Sequence, residues 1–215
     1  MNGLIIKDLI TLEKQKISTI AGLLFTTIAF LLFWQSTGAL LLGAVVLPFL
    51  TIFTPFTFRA SDEQWKWDTY AISLPVSKKQ IVASRYLSCS IISIAYFLFS
   101  LALNIGVYFW FQDHSITLHL ASAFIGLGVS LLFGFLILPT SFTKGLEVSV
   151  WVLVILAIIF IGVVVIIKKA NFDIFSLSPT PSQITLLMGL SVATLIGIFI
   201  GSYLVSVAMY RKLHS

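Results

Sequence analysis

Two very long stretches without a single charged side chain flank a charged segment at residues 59–85. No charge falls between Lys16 and Arg59, and none falls between Arg85 and Asp113. A membrane-spanning helix needs about 20 predominantly apolar residues, so each stretch is long enough to cross a bilayer. Only 10% of the residues are charged, against roughly 25% in soluble domains. So few charges could not cover a water-facing surface, which predicts an integral membrane protein.

The apolar stretches divide into six predicted spans within one transmembrane domain, residues 1–215. Each is continuously apolar, which is typical of buried or membrane helices and predicts an all-α integral membrane protein. A tight turn at residues 34–38 should join the first two spans, and Pro48 and Pro55 should kink the second. The six transmembrane helices are expected at about 17–34, 39–58, 86–111, 120–139, 148–167 and 184–210.

The basic residues indicate which way the helices run, because cytoplasmic loops carry an excess of lysine and arginine. Placing both termini in the cytoplasm puts eleven of the thirteen basic residues on that side, with only Lys168 and Lys169 outside. We expect a multi-pass protein of a bacterial cell membrane, and the Phe-, Ile- and Lys-leaning composition suggests a low-GC Gram-positive source. The net charge of +5 reflects this bias and does not indicate nucleic acid binding.

Residues 4–16 have the pattern of an amphipathic helix. At 100° per residue, Ile6, Leu9 and Ile10 fall on one side, and Lys7 and Asp8 fall opposite. Helices of this kind lie flat in the membrane interface. We therefore expect an interfacial helix, in contact with membrane lipids on the cytoplasmic side, before the first span.

Residues 59–85 form a polar segment between two spans, with the signals of two helices. Ser61 with Gln64 has the spacing of a capping box, Pro75 ends that helix, and Ser77 with Gln80 forms a second capping box. We expect a short helix, a sharp corner, and a helix that runs into the third span. The predicted common face of the first helix consists of Trp67, Tyr70, Ala71 and Leu74.

The predicted spans offer little chemistry. No Asp, Glu, Lys or Arg lies well inside one, and His114 and His119 fall in an outer loop. The sequence has no P-loop, no HExxH motif and no paired carboxylates, so no catalytic residue and no metal site are predicted.

Asn104 should bond to a neighbouring helix, and Cys89 should be a core residue. Small residues line faces of the fourth and sixth spans, where they favour close packing within the chain over packing against a second copy: Ser122, Gly126, Ser130 and Gly134; Gly189, Ala193, Gly197 and Gly201.

Two segments of the chain carry a family resemblance. The first reads GLIIKDL over residues 3–9, and the second reads YAISLPVSKKQIV over 70–82, followed by SRYL over 84–87. These segments, with six spans and an N-terminal interfacial helix, resemble the permease subunits of the ABC-2 type transporter family. In that family a stretch like the second one lies between spans two and three.

The resemblance implies an exporter subunit driven by a partner. Such permeases pair as two six-span subunits, alike or different, over two separate ABC ATPase subunits. A cytoplasmic coupling helix between spans 2 and 3 docks onto the ATPase; here it would occupy about 61–74, within a coupling element of about 61–82. The chain would bind no cofactor itself, because ATP and Mg would be bound by the partner. The implied ATPase-coupling residues are Trp65, Trp67, Tyr70, Leu74, Pro75, Ser77, Lys78 and Lys79.

The resemblance says less about cargo. Some permeases similar to this one export amphipathic peptides such as phenol-soluble modulins, and others serve bacteriocin immunity or antibiotic resistance. We expect an amphipathic peptide, an antimicrobial or another hydrophobic substrate. The alternatives are a stand-alone immunity or scaffold protein acting through helix contacts, a membrane-embedded enzyme, and a channel or carrier. The expected substrate path is lined by Thr26, Thr27, Phe30, Thr51 and Thr54.

Overall fold

The chain is helical throughout its regular structure, with no strand in the part that the structure describes. The computed structural model describes residues 2–13, 16–73, 75–142, 151–152, 154–155, 158 and 181–213. A π-helical turn, Leu42–Val46, follows α2. The helices are α1 (Asn2–Glu13), α2 (Lys16–Leu41), α3 (Leu47–Ile52), α4 (Thr54–Gln64), α5 (Trp67–Ser73), α6 (Lys78–Phe111), α7 (Ile116–Ser141) and α8 (Pro181–Leu213).

Within the described residues, four stretches of helix are long and apolar enough to cross a membrane. They are Gln35–Gln64, Lys78–Phe111, Ile116–Ser141 and Gly189–Lys212, and they match the second, third, fourth and sixth predicted spans. A shorter apolar helix, Gly22–Leu32, lies in the first predicted span. Of the fifth, 148–167, the described positions 151–152, 154–155 and 158 are helical, and the rest lies outside the described residues. The helical membrane character is confirmed, and the number six stays a prediction.

The second span is built from short helical segments. The backbone of α2 breaks at Gln35, with φ 48° and ψ −126°, inside the predicted turn. The π-helical turn and a turn at Phe53 then separate α2, α3 and α4. Pro48 and Pro55 lie in the first turns of α3 and α4, where a missing N–H costs no helical hydrogen bond. The prolines therefore begin new segments where kinks were predicted.

The predicted start of the helix at residue 61 is wrong. Ser61 lies inside α4, which is already formed from Thr54, so Ser61 and Gln64 make no capping box. Nothing before Trp65 interrupts α4, because neither glycine nor proline follows Pro55 in it. The chain turns at Lys66, whose φ is 49°, and α5 begins immediately afterwards.

The second capping box is confirmed. The Gln80 N–H donates to Ser77 Oγ at 3.3 Å, and the Ser77 N–H donates to Gln80 Oε1 at 2.9 Å. From this cap α6 runs without a break to Phe111, and the chain leaves it through a left-handed residue, Gln112, with φ 53°. The next helix, α7, begins before His119, which is buried in it and does not lie in an outer loop as predicted.

Helix α7 packs against α6 and α8, which also contact each other, and α3 and the π-helical turn contact it too. A Cβ on Gly126 would lie 2.0 Å from the carbonyl oxygen of Gly43, so the two backbones touch. Packing within the chain is thereby confirmed for this face. In α8, Gly189, Gly197 and Gly201 are exposed, and a Cβ on any of them would meet no atom of the described residues within 4 Å.

An apolar cluster surrounds the first half of α6. At this end of the bundle lie α1, the α4–α5 corner and the start of α6. We call these three parts together the charged end. Cys89 lies in the cluster as the core residue that was predicted. The cluster unites side chains from six helices: Leu4, Phe58, Ala71, Ile81, Val82, Tyr86, Cys89, Ile92, Phe135, Leu138, Phe142, Val207 and Tyr210.

Candidate functional site

Four charged side chains form a closed ring at the charged end. Arg85 of α6 donates through one guanidinium nitrogen to Asp8 Oδ1 of α1 at 2.6 Å and through the other to Asp62 Oδ2 of α4. Lys7 Nζ lies 2.6 Å from Asp62 Oδ1 and 3.4 Å from Asp8 Oδ1. Each charge therefore has two neighbours of opposite sign. We call these four residues the ion ring.

Three members of the ion ring are buried, and all four carboxylate oxygens have a partner. Asp8, Asp62 and Arg85 expose only 2%, 7% and 6% of their surface. Ser88 Oγ donates to the second carboxylate oxygen of Asp8 at 3.1 Å. Buried ion pairs are stable only when the geometry is good and the remaining hydrogen-bonding positions are filled. The ring meets this condition and joins three helices in one electrostatic unit.

Aromatic rings cover the two cations. The indole of Trp67 lies with its centroid 4.1 Å from Lys7 Nζ, and the ring of Phe58 lies 5.0 Å from Arg85 Cζ. Cation–π contacts of this kind strengthen when water is excluded. Trp67 thereby ties α5 to α1, which extends the unit to a fourth helix.

Helix α1 turns its charged face toward the protein. Asp8 and Leu4 are buried, while Ile6, Leu9 and Ile10 expose between 38% and 54% of their surface. In a water-soluble protein the apolar face would be the buried one. An outward apolar face suits a helix that lies on lipid, as the amphipathic pattern predicted.

The aromatic residues at the α4–α5 corner divide between two directions. Trp65 and Tyr70 are 63% and 57% exposed, whereas Trp67 is half-buried and Ala71 is buried. Within the predicted common face, Tyr70 is more exposed than Trp67 and Ala71, and its ring centroid lies 5.4 Å from that of Trp67. A groove of about 440 Å³ runs beside the corner between α1 and Trp65.

The other predicted coupling residues lead into α6. Leu74 lies outside the described residues, Pro75 is exposed, and Ser77 caps the helix. Lys78 is half-buried and Lys79 exposed in the first turn, and a tyrosine hydroxyl of α8 donates to the Lys79 carbonyl at 3.5 Å. These positions are contiguous with the corner but are not part of the ion ring.

The predicted substrate-path residues lie on two elements. Thr26, Thr27 and Phe30 are half-buried on α2, where Thr26 Oγ1 donates to a backbone carbonyl of its own helix at 2.9 Å. Thr51 and Thr54 are buried, and Thr51 Oγ1 lies 2.6 Å from a serine hydroxyl of α7. Thr51 therefore holds helices together. Beside α2, an apolar recess of about 510 Å³ opens between α2 and α6.

A second buried polar group lies farther along α6. Asn104 is fully buried, and its Oδ1 lies 2.9 Å from His119 Nδ1 and accepts from Ser122 Oγ at 3.2 Å. Its Nδ2 donates to the Ser100 carbonyl at 3.0 Å. The prediction that Asn104 bonds to a neighbouring helix is confirmed. The cluster holds α6 against α7.

The sequence interpretation missed the ion ring. Asp8 and Arg85 lie in the two segments that carry the family resemblance, which was a usable signal, but no local spacing links residues 77 positions apart. Asp62 directly follows Ser61, where the sequence predicted the start of a helix that does not begin there. In the described residues, no three His, Cys, Asp or Glu side chains gather as a metal site.

The fold and the charged end define a class of protein. The chain is a polytopic helical membrane protein with a structured polar element fastened to its spanning helices. It belongs to the ABC-2 family of transporter proteins, whose family model matches residues 3–211. No curated protein and no solved structure gives a significant match. Members of this family are the membrane components of ABC transporters, so the chain is such a component. Proteins of this kind work with an ABC ATPase.

Proposed function

We propose that the chain is the permease subunit of an ATP-driven ABC exporter in a bacterial cell membrane. Six helices cross the membrane, both termini lie in the cytoplasm, and the charged end faces the cytoplasm. Membership of the ABC-2 family supports the class, and the distribution of basic residues supports the orientation. The permease does not hydrolyse ATP; ATP and Mg are bound by separate ABC ATPase subunits.

One observation supports the assignment of the docking surface. Two aromatic side chains are exposed on a corner whose other side contacts α1 and α6. Trp65 and Tyr70 are mostly exposed, while Trp67 of the same element contacts the ion ring and Asp62 belongs to it. Aromatic residues dominate the energetics of protein interfaces. A force applied at the corner would reach α1 and α6 through these contacts, as a coupling helix requires.

The remaining coupling residues extend this surface toward the membrane. We assign Leu74, Pro75 and Ser77 to the second half of the coupling element, which fixes where α6 begins. Lys78 and Lys79 stand at the start of α6, where the helix dipole does not favour cations. Contact with lipid phosphates or with acidic residues of the ATPase would compensate them.

We further propose that the cargo is an amphipathic peptide, an antimicrobial or another hydrophobic molecule. The apolar recess between α2 and α6 supports this class, since its lining includes Leu32, Leu103 and Trp110. Thr26, Thr27 and Phe30 on α2 remain the proposed path residues, whereas Thr51 and Thr54 support the bundle. A second permease, identical or paralogous, would complete the path.

The test is co-purification of an ATPase with tagged chain from detergent-solubilised membranes of its host. We expect a subunit that photolabels with azido-ATP and hydrolyses ATP. Trp65→Ala with Tyr70→Ala should reduce its recovery at least tenfold, because interface aromatics each contribute on the order of 2 kcal/mol.

Phe109→Ala is the matched control, because Phe109 is 68% exposed at the far end of α6 and does not line the apolar recess. It should leave recovery of the ATPase unchanged. Absence of any ATP-binding subunit from preparations of the unaltered chain would overturn the proposal. Equal recovery from the corner variant and the control would move the docking surface elsewhere.

A stand-alone immunity or scaffold protein is the second candidate. It is favoured by the small-residue face of α8, where Gly189, Gly197 and Gly201 are exposed. The corresponding face of α7 gives it no support, because Gly126 is already packed against Gly43. The stand-alone function would be preferred if the chain purified as a homo-oligomer without an ATPase.

A further inference from the structure

We infer that the start of α6 and the end of α8 form a binding site for the headgroups of anionic phospholipids, built around Lys79 and Arg211. For Lys79, this assignment selects lipid over the acidic residues of an ATPase. The site rests on the proposed function only through the position of the charged end at a membrane surface, and it needs no ATPase.

Helices α6 and α8 lie side by side and run in opposite directions. Successive aromatic contacts between α7 and α8 follow both helices in the same direction, whereas those between α6 and α7 run in reverse order. Helices α6 and α8 also contact each other, and a tyrosine hydroxyl of α8 donates to the Lys79 carbonyl at 3.5 Å. The start of α6 therefore lies beside the end of α8.

Lys79 and Arg211 lie at the same depth on these two helices. The Tyr86 hydroxyl is within hydrogen-bonding distance of Ser202 and Ser206, so Tyr86 is level with the midpoint of the two serines. Lys79 precedes Tyr86 by seven residues, and Arg211 follows that midpoint by seven residues. At 1.5 Å per residue, both lie roughly 10 Å beyond Tyr86 in the direction of the charged end.

Each of these two basic residues follows an exposed apolar side chain on its own helix. Leu87 is exposed on the side of α6 that carries Lys79. Leu204 is exposed on the side of α8 that carries Arg211. Exposed apolar side chains of a spanning helix face the hydrocarbon, and lysine or arginine beyond them reaches the headgroups. The two cations therefore lie among lipid headgroups and apart from the aromatic corner proposed for the ATPase.

Every acidic side chain that the structure describes at the charged end already has a basic partner. Two carboxylates belong to the ion ring, and Glu63 pairs with Arg59. Lys79 and Arg211 are exposed, and each has a second lysine beside it in the sequence. Lys79 also lies in the first turn of α6, where the helix dipole disfavours a cation. An external anion would neutralise this patch, and lipid phosphate is the anion present at this depth.

The experiment compares lipid binding at two positions in vesicles that contain the purified chain alone. On the Cys89→Ser background, a bimane fluorophore is attached at Leu204→Cys or, as the matched control, at Ile125→Cys. Both positions are exposed, and each lies nine residues from the nearer end of its helix, at opposite ends of the bundle. The vesicles consist of phosphatidylcholine with a fraction of spin-labelled phosphatidylglycerol or spin-labelled phosphatidylcholine, which quench bimane on contact.

Quenching at residue 204 should show at least a fivefold preference for phosphatidylglycerol, because each basic residue near anionic lipid favours binding by about fivefold. Residue 125 should show no such preference. Lys79→Gln with Arg211→Gln should remove the preference at residue 204, whereas Lys79→Arg with Arg211→Lys should retain it because the charges remain. Lys66→Gln removes an exposed charge from the α4–α5 corner and should have no effect.

Equal quenching by the two lipids at residue 204, or a preference that survives the double glutamine variant, overturns the inference. A preference that is lost in inorganic phosphate, but not in sodium chloride of equal ionic strength, assigns the patch to a soluble anion and also overturns it. If the double variant instead lowers only the recovery of an ATPase, Lys79 and Arg211 bind that partner, and the proposed function stands without the lipid site. Absence of any ATPase overturns the proposed function and leaves the lipid measurement unaffected.

Discussion

Arg85 is an arginine kept within a largely apolar helix by partners from two other helices. Asp8 and Asp62 lie 77 and 23 positions away in the chain, so the pairing exists only in the folded protein. Removing one member of a buried ion pair is more damaging than the net contribution of the pair suggests, because the remaining charge is left in a medium of low dielectric constant. At the scale of residues, the charged end depends on complete pairing.

We predict that Arg85→Ala lowers the free energy of unfolding by about 3–5 kcal/mol, since it leaves two buried carboxylates with only Lys7 as a cation. Arg85→Lys should lower the free energy of unfolding by a smaller amount, because lysine keeps the positive charge. It lacks the planar guanidinium that donates hydrogen bonds to both carboxylates at once. The measurement is equilibrium denaturation in detergent micelles.

Glu63→Gln is the control at the same scale. Glu63 pairs with Arg59 at 3.0 Å on the exposed side of α4, and such pairs contribute about 0–1 kcal/mol. Similar losses from Arg85→Ala and Glu63→Gln would contradict the importance assigned to the ion ring.

At the scale of elements, the bundle depends on backbone contact between helices. The carbonyl of Gly43, in the π-helical turn, lies where a Cβ on Gly126 of α7 would have to be. Helices in membranes associate through such small-residue contacts because lipid gives no hydrophobic driving force between them. The π-helical turn therefore packs directly against the backbone of α7 at Gly126.

Gly126→Ala should therefore force the two elements apart and destabilise the bundle by about 1–3 kcal/mol, the usual range for overpacking. Gly128→Ala is a matched control on the same helix, since a Cβ there meets no atom within 4 Å. Thermal unfolding of the two variants in detergent measures the difference. Equal melting temperatures would show that α7 does not pack as described.

Local signals predicted the elements better than they predicted the site. The cap at Ser77 was predictable because its partner, Gln80, is three positions away. Ser61 has the same pattern and does not cap a helix, because α4 has already started before it and tertiary structure overrides the local preference. Arg85 was beyond prediction, since its partners come from distant segments.

At the scale of the whole molecule, the ion ring and the polar group at Asn104 lie at different depths. Arg85 and Asn104 are 19 positions apart on α6, or roughly 28 Å along a helix at 1.5 Å per residue. This approaches the thickness of a hydrocarbon core of about 30 Å. The two polar groups are therefore expected near opposite surfaces of the membrane.

Thiol labelling of intact cells tests this arrangement. On the Cys89→Ser background, Asp113→Cys should react with a membrane-impermeant maleimide from outside, because it lies beyond the far end of α6. Gln64→Cys at the charged end should react only after permeabilisation. Labelling of both from the same side would contradict the proposed orientation of the spans.

The ion ring also constrains how related sequences can vary. A single substitution at residue 8, 62 or 85 leaves an unmatched charge, so a lineage that loses one member should change another to restore neutrality. Positions 8, 62 and 85 should therefore covary among homologues, with Asp8 and Arg85 lost or retained together. Residue 7, whose side chain is one quarter exposed, should vary more freely.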